Sequence, residues 1–426
     1  MKHNTFLALA LSALLLTACS APAAESAAPT PAAYESQAPA AVSVGKPLHH
    51  LNSGGTAPQI GITDSAAYLP MKFGSILLAT KIDFATAQQE ILCNADGCTH
   101  TDETCPAFMA ADDDALSQYY TGGLVAAGDR LYWFISGGAS PINVRVDVSA
   151  PDGSDRHTII ENGSMFQLDC TMSMNFTDSD ALYLATAASG LVRLEDTGLT
   201  PIFPLNDGRP TSENPLYTQG STPRYMILGC WQDMAVFACT PSLSGSGTGL
   251  MGVHADGSIT DLGTYHTAFS AALHEGKIYH IPGSSNQAET IEITDLTTQS
   301  TETLPLPAGS GWNNYCITYG DGTIGLIRDE VNYAWTPGSH TAVELAPTWC
   351  KDTAVAHSPV IYAENGTTAL VKVSDHAASV ARLTPEGIPY QRQQPIRELA
   401  LISLQDLFSG RQNWTPVRML DGVLFG

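Results

Sequence analysis

The chain has 426 residues, of which 42 are acidic and 19 are Lys or Arg, and its formal net charge at pH 7 is −23. A strong negative field repels nucleic acid and anionic membrane surfaces, so neither is expected as a partner of the folded body. The chain is also longer than a usual single compact core, which favours a repetitive architecture.

The first segment, residues 1–18, is predicted to be a secretory signal. Lys2 precedes an apolar stretch from Phe6 to Leu16, which is shorter than the ~20 residues that a membrane-spanning helix needs. The junction Leu16-Thr-Ala-Cys19 resembles the lipobox of bacterial lipoproteins, in which Cys19 would be lipidated and become the mature N-terminus. The alternative is an ordinary cleaved signal that leaves Cys19 as a chance thiol.

A diacylated cysteine would place two chains in the bilayer, which is enough for stable attachment. We therefore expect a cell-membrane protein that is lipid-anchored on the extracytoplasmic face. Residues 19–43 are rich in Ala and Pro and carry too little apolar surface to offset the entropy of ordering. They are predicted to be a disordered linker that holds the body away from the membrane.

The body, residues 44–426, is predicted to be all-β. A turn followed by a short apolar strand recurs at intervals of about 40 to 50 residues, which is the length of one four-stranded propeller blade. The instances are Asp129-Arg-Leu-Tyr132, Asp180-Ala-Leu-Tyr183, Asp233-Met-Ala-Val236, Gly276-Lys-Ile-Tyr279, Gly322-Thr-Ile324 and Pro359-Val-Ile-Tyr362.

An earlier module, Ser75–Asp83 followed by Gln88–Cys93, gives a seventh instance. The pattern predicts a β-propeller with about seven blades, within a range of six to eight. The alternative is a string of β-sandwich domains, which would show linkers between larger units. The apolar segment Leu399–Phe408, either strand or short helix, is expected to complete a blade with strands from the N-terminal side and so close the ring.

The densest chemical feature is Cys93-Asn-Ala-Asp-Gly-Cys98-Thr-His100-Thr-Asp-Glu-Thr-Cys105. Three thiolates and an imidazole complete a tetrahedral zinc set in principle, and Asp96-Gly97 provides a turn that brings Cys98 back toward Cys93. The alternatives are a disulfide between two of the three cysteines, because exported proteins meet an oxidising setting, and free thiols.

With either crosslink the first role of this segment is structural, because a polar loop with little apolar content needs a crosslink to be ordered. Three thiols leave one over after a disulfide, unless a fourth cysteine such as Cys170 takes part. A catalytic zinc would need an open coordination position and a general base, for which Glu103 qualifies by spacing alone.

These features together resemble a group of lipoproteins of Gram-positive anaerobes with TolB-like propeller bodies. The resemblance rests on the lipobox, the Ala/Pro linker, the degenerate β repeats and the segment Leu92-Cys-x4-Cys-x-His-x4-Cys-Pro-Ala107. This resemblance implies a fold and a location but does not imply a reaction.

Cys230 and Cys239 are predicted to be buried strand thiols. If a hairpin turns at Gln232-Asp233, Cys230 lies opposite Ala235, so Cys230 and Cys239 are not cross-strand neighbours and do not pair. Cys316 is expected to be a buried thiol as well.

Aromatic residues in predicted loops are candidates for stacking on a glycan or peptide ligand. They are Tyr119, Tyr120, Trp231, Trp312, Trp335 and Trp349. The alternative for each is packing between blades.

The functional expectation is a monomeric, non-enzymatic propeller that binds a glycan or protein partner through loops or through the central channel. The chain has no Gly-x-Ser-x-Gly nucleophile motif and no phosphate-binding glycine loop, which lowers the expectation of an enzyme. Two alternatives stay open, a glycan hydrolase or lyase with carboxylates in the channel and an assembly scaffold of the cell envelope.

Overall fold

The computed structural model describes residues 45–52, 54–73, 76–111, 122–137, 143–168, 170, 173–186, 190–204, 224–240, 248–265, 271–348, 358–383, 388–420 and 423–424. The predicted signal, Cys19 and the linker lie outside these residues, and so do three of the candidate aromatics, Tyr119, Tyr120 and Trp349. No helix in the described part is long and apolar enough to span a bilayer.

The described chain is almost entirely strand. Its first half forms β1 (His49–Leu51), β2 (Gly61–Ile62), β3 (Ala66–Phe73), β4 (Ile76–Asp83), β5 (Gln88–Ile91), β6 (Phe108–Ala111), β7 (Gly123–Ala127), β8 (Arg130–Gly137), β9 (Asn143–Ser149), β10 (His157–Ser164), helix α1 (Met165–Leu168), β11 (Met174–Thr177), β12 (Leu182–Thr186), β13 (Gly190–Glu195) and β14 (Gly198–Pro204).

The second half forms β15 (Arg224–Trp231), β16 (Met234–Thr240), β17 (Thr248–His254), β18 (Ile259–Tyr265), β19 (Ala271–His274), β20 (Lys277–His280), β21 (Thr290–Asp295), β22 (Ser300–Pro305), β23 (Trp312–Thr318), β24 (Ile324–Arg328), β25 (Val331–Trp335), β26 (Val343–Glu344), β27 (Val360–Glu364), β28 (Thr368–Leu383), β29 (Pro389–Ser403), helix α2 (Leu404–Phe408), β30 (Thr415–Pro416) and β31 (Val423–Leu424).

These strands form seven antiparallel sheets in which consecutive strands are neighbours. Blade 1 is β2 to β5, with β6 and β31 as additional strands; blades 2 to 7 are β7–β10, β11–β14, β15–β18, β19–β22, β23–β26 and β27–β30. The expected propeller of about seven blades is therefore confirmed.

The hydrophobic core is divided between the blades. Buried apolar side chains of the described residues form seven clusters, one between each pair of neighbouring blades. Seven sheets in an open row would share only six interfaces. The seventh cluster, which joins Ala363 and Leu370 of blade 7 to Leu69 and Ile82 of blade 1, shows that the ring is closed.

The repeat read from sequence marks the second strand of blades 2 to 6, but in blade 7 it is displaced. Val360–Glu364 is the first strand there, and Thr368 begins the second. The module at Ser75–Asp83 is likewise the third strand of blade 1, after Ala66–Phe73. Both displacements arise because any short apolar strand after a turn satisfies the pattern, whatever its place in the blade.

The C-terminal apolar segment is both strand and helix. Leu399 to Ser403 ends β29, and α2 begins directly after Ser403, whose side chain accepts a hydrogen bond from the backbone N–H of Asp406. The expectation that this segment pairs with N-terminal strands is wrong, because β29 is the third strand of blade 7. The strand that joins the chain's end to blade 1 is β31, which pairs with β3.

The antiparallel order gives the ring two distinct ends. Connections from first to second strand, and from third to fourth, lie at one end, which we call the turn face. Connections from second to third strand, and from blade to blade, lie at the other end, the loop face. The turns of the turn face are short, as at 128–129, 232–233 and 275–276.

A long hairpin projects from the loop face of blade 7. Its strands β28 and β29 have 16 and 15 residues, whereas the other strands that the structure describes have at most eight. The neighbours β27 and β30 pair with the hairpin only as far as Lys372 and Ala400, while β28 and β29 stay paired out to Leu383 and Pro389. At ~3.3 Å per residue the hairpin extends roughly 35 Å beyond the blade.

The segments 45–52 and 54–60, which we together call the strap, lie in the central channel. The backbone N–H of Gly45 donates to Asp233 Oδ2 at 3.0 Å in blade 4, and β1 pairs with the inner edge of β11 in blade 3. Farther along, Gly54 N–H donates to Glu364 Oε1 at 2.9 Å in blade 7. Because the inner edges of all blades face the ring axis, a strand added to one of them occupies the channel.

Candidate metal centre

The Cys/His segment is an insertion in the outermost strand of blade 1. The backbone N–H of Leu92 donates to Ala79 O at 3.0 Å, and Ala79 N–H donates to Ala107 O at 2.8 Å. Residues 92 and 107 therefore meet at one residue of β4, and β5 and β6 are two halves of a single edge strand. The loop lies on the outer rim of the ring, away from the channel.

The loop brings four metal-binding side chains together. One ligand atom from each of Cys93, Cys98, His100 and Cys105 lies within 4.8 Å of the other three. His100 Nδ1 and Cys105 Sγ are 3.3 Å apart. Tetrahedral zinc with bonds of ~2.0–2.3 Å has ligand-to-ligand edges of roughly 3.6–3.8 Å. The donor set and its spacing therefore fit zinc.

Local backbone turns produce this convergence. Cys98 N–H donates to Ala95 O at 3.2 Å, which closes the turn at Asp96-Gly97, where Gly97 has a φ of 70°. His100 has a φ of 55°, a left-handed conformation that is uncommon for a residue with a side chain. The predicted turn is confirmed, and the strained histidine is typical of a site whose surroundings fix the side chain.

The three thiols differ in their environments. A hydrogen bond from the backbone N–H of His100 lowers the pKa of Cys98, which favours its thiolate. Burial raises the pKa of Cys105 to about 12. A buried thiol of this kind becomes a thiolate when a cation lies beside it, because the metal supplies the charge that solvent does not.

A clamp from blade 2 fixes the end of the loop. Arg156 Nη1 donates to Pro106 O at 2.9 Å and to Phe108 O at 2.7 Å. Its other nitrogens donate to Asp147 Oδ2 at 2.8 and 2.6 Å, and its guanidinium lies 4.0 Å from the ring centroid of Trp133. This arginine has no recognisable signal in the sequence, because nothing in its local sequence shows which residues lie across the blade interface.

A groove of about 880 Å³ separates the loop from blade 2. Glu103 and Cys105 line one wall, and Arg145 and His157 line the other. Glu103 is thus near the cluster, but three thiolates and one imidazole already supply the four ligands of a closed structural site. The arrangement fits a structural metal better than a catalytic one.

The other cysteines are distant from this cluster. Cys170 lies in the core between blades 2 and 3, and Cys239 and Cys316 are each 2% exposed. Cys230 pairs with Ala235 in the β15–β16 hairpin, as predicted, and its thiol donates to Leu48 O of the strap. None of the described cysteines forms a disulfide with another described one.

The three candidate ligand-binding aromatics that the structure describes, Trp231, Trp312 and Trp335, do not form an exposed surface for a ligand. Trp312 and Trp335 are each 1% exposed, and their indole N–H groups donate to Pro307 O and Ser339 O, both at 2.9 Å. Neither ring has a face available to a ligand, so the expectation for these two is corrected to core packing. Trp231 is partly buried and packs between blades 4 and 5.

Two carboxylates near the strap, those of Glu364 and Asp233, are occupied by hydrogen bonds. Glu364 accepts from the backbone N–H groups of Gly54, Gly320 and Gly366. Asp233 accepts from Gly45 N–H and contacts His254 Nδ1 at 3.0 Å. These acids hold the strap and the turns in place.

No protein-family model and no curated protein matches the chain. Among solved structures, the tricorn protease is 9% identical over 88% of this chain and 30% of its own, with a TM-score of 0.26. An oligogalacturonate lyase in complex with manganese is 11% identical over 66% of this chain and 72% of its own, with a TM-score of 0.38.

TolB from Acinetobacter baumannii is 9% identical over 66% of this chain and 65% of its own, with a TM-score of 0.28. The chain thus spans less than a third of the tricorn protease chain and about two thirds of TolB. Identities this low carry no information on ligand or reaction.

Proposed function

We propose that the chain is a monomeric, lipid-anchored β-propeller on the extracytoplasmic face of the cell membrane. In this proposal it binds a glycan or protein partner without catalysing a reaction, and its Cys/His loop holds a structural zinc ion. The lipobox at Cys19 supports the anchor, and the Ala/Pro linker supports a body held away from the bilayer.

The hairpin β28–β29 carries the proposal of partner binding. An isolated two-stranded hairpin is only marginally stable in water, and unpaired strand edges readily pair with another chain. Near its tip, Ile388 and Tyr390 are 61% and 41% exposed. An extended element with large apolar side chains exposed near its tip is typical of a surface that a partner covers.

Two further observations support a binding role over an enzymatic one. The strap occupies the channel, where a propeller hydrolase would hold its substrate. Glycoside hydrolysis needs two carboxylates ~5–10 Å apart and able to reach the substrate. Glu364 and Asp233, the acids that hold the strap, are already hydrogen-bonded within the fold.

A native mass measurement on the chain from Cys19 onward tests the anchor and the metal together. We expect added lipid mass on Cys19 and one zinc ion that a chelator removes. Because binding displaces thiol protons, zinc affinity should rise by roughly tenfold per pH unit for each thiol protonated in the metal-free loop. Cys105→Ser should lose the zinc, and Cys316→Ser should keep it. A mass with no metal and two hydrogens lost per disulfide contradicts the zinc proposal.

Shortening the hairpin tests partner binding. Residues 374–397 are replaced by a two-residue Asn-Gly turn, which leaves the pairing of β28 with β27 intact. We expect an unchanged melting temperature and the loss of every partner that crosslinks specifically to the full-length chain on cells. Equal crosslinking of both chains would place the partner surface elsewhere.

A further inference from the structure

We infer that the Cys/His loop is also a thiol oxidation site, at which a peroxide joins Cys93 to Cys98 in a disulfide and leaves Cys105 as a thiol. This inference rests on the zinc binding proposed above, because it concerns the same ligands in their oxidised state. In this view the reduced loop binds zinc and the oxidised loop carries the disulfide, so the two are successive states of the same loop.

The distances allow the reaction. The ligand atoms of the four residues all lie within 4.8 Å of one another. A disulfide has an S–S length of ~2.05 Å, so two of these sulfurs need a closing movement of less than about 3 Å. Side-chain rotation and a small adjustment of the turn between them supply a movement of that size.

The solvent accessibility of the three thiols determines which two of them form the disulfide. Cys105 is 3% exposed and packs in the core between blades 1 and 2. Its backbone carbonyl accepts from Phe108 N–H at 2.9 Å, and Arg156 holds the carbonyl of the next residue, Pro106. Cys105 borders the groove but is only 3% exposed and is held in place, so a dissolved oxidant reaches it less readily than the two partly exposed cysteines.

Cys93 and Cys98 are partly exposed, and all four residues between them are exposed. A Cβ added at Gly97 would meet nothing within 4 Å, so this turn has open space around it. Cys93 and Cys98 both pack against the edge of the core between blades 1 and 2. Their partial exposure lets both meet a peroxide, and the open turn between them leaves room for them to move toward each other.

The reaction balances with hydrogen peroxide as oxidant. The Cys98 thiolate attacks one peroxide oxygen, the O–O bond breaks, and the sulfur becomes a sulfenic acid while the departing hydroxide takes a proton to form water. The Cys93 thiolate then attacks that sulfur, the S–O bond breaks, and a second hydroxide leaves and is protonated. Two thiolates, one peroxide and two protons give one disulfide and two waters.

Oxidation removes half of the ligand set. Cys105 and His100 remain, and two side chains are too few for a structural zinc site, which is almost always four-coordinate. The metal should therefore leave as the disulfide forms, and the loop keeps a covalent crosslink across its first turn.

Stepwise oxidation of the reduced, zinc-loaded chain tests the inference. Hydrogen peroxide is added while a colorimetric chelator reports free zinc, and the disulfide is mapped by peptide mass. We expect one zinc released per disulfide, a Cys93–Cys98 crosslinked peptide, and a Cys105 that is alkylated only after unfolding. Zinc retained against a tenfold excess of peroxide, or a disulfide that includes Cys105, would overturn the inference.

Two variants separate this inference from the zinc proposal. Cys316→Ser should behave as the unchanged chain, because Cys316 lies in the core between blades 5 and 6. Cys105→Ser removes one zinc ligand but should still form the Cys93–Cys98 disulfide. If the reduced chain binds no zinc, the zinc proposal fails. The peptide map of the oxidised Cys105→Ser chain then still decides whether Cys93 pairs with Cys98.

Discussion

Arg156 shows at the scale of one residue how the loop is joined to the ring. Its guanidinium donates hydrogen bonds to Asp147 and to the backbone carbonyls of Pro106 and Phe108. The same group also lies over the face of the Trp133 ring. A planar guanidinium can do this because its donors diverge in a fixed fork, whereas an ammonium offers a single point of charge.

Replacing this arginine by lysine should therefore be costly. Arg156→Lys leaves at least one of the carbonyls of Pro106 and Phe108 without its donor, and we expect a loss of about 2–3 kcal/mol in the free energy of unfolding. Urea denaturation measures it. The matched control is Arg130→Lys, whose 2.8 Å pair with Asp196 is more exposed and should be worth under ~1 kcal/mol. Equal losses in the two variants would refute the clamp.

His50, in the strap, makes the stability of the folded chain dependent on pH. Its ring lies 5.2 Å from that of Phe176, and burial, with a smaller contribution from His274, lowers its pKa from 6.5 to about 4. Between those values the unfolded chain binds more protons than the folded one. The stability from the neutral ring is thus complete above pH 6.5 and is lost as the pH falls toward 4.

The comparison of the unchanged chain with His50→Gln tests this sign. From pH 7 to pH 4.5 the unchanged chain should lose about 2–3 kcal/mol more stability than the variant, because glutamine does not titrate. Thermal or urea unfolding at the two pH values gives the difference. Parallel losses would show that His50 is solvated in the folded state.

At the scale of the element, the strap depends on close backbone approach. A Cβ at Gly54 would lie 2.1 Å from Cδ1 of Tyr319. That ring is 2% exposed and packs against Phe408 with their centroids 4.7 Å apart. The ring has no space to move aside, so the strap itself has to shift.

Gly54→Ala should therefore loosen the strap selectively. We expect a loss of about 2–3 kcal/mol in the free energy of unfolding and faster hydrogen exchange of the amides in the strap. Gly338→Ala is the control, because its surroundings are open and only its φ of 86° is strained. It should cost ~1 kcal/mol and leave exchange in the strap unchanged. Unchanged exchange in Gly54→Ala would contradict the placement of the strap.

At the scale of the whole molecule, a short C-terminal segment joins blade 7 to blade 1. Val417 N–H donates to Leu399 O at 2.9 Å in blade 7, and Arg418 N–H donates to Ala87 O at 2.9 Å in blade 1. The strand β31 then pairs with β3. With this segment in place, blades 7 and 1 are joined by the chain itself, as the other neighbouring blades are.

Removing residues 415–426 should open the ring. We expect the melting temperature to fall by about 10 °C or more, since the cluster between blades 7 and 1 loses its cover, and calorimetry should show a broader transition. Removing residues 1–43 instead should change neither property. A sharp, unshifted transition in the C-terminal truncation would show that blades 7 and 1 hold together without it.

The sequence by itself determined the repeated units of this protein. A turn followed by a short apolar strand is a local pattern, so it revealed the β class and the number of blades. It also placed the hairpin in which Cys230 faces Ala235. The Cys/His segment was visible for the same reason, because all of its ligands fall within one short loop.

Only the tertiary structure decided how these units meet. The bond from Gly45 to Asp233 spans 188 residues, and no local pattern encodes a contact at that separation. The burial of Trp312, the Arg156 clamp and closure by β31 depend in the same way on which blades become neighbours. Periodicity reports the conformation of a segment, whereas its partners are set by packing around the closed ring.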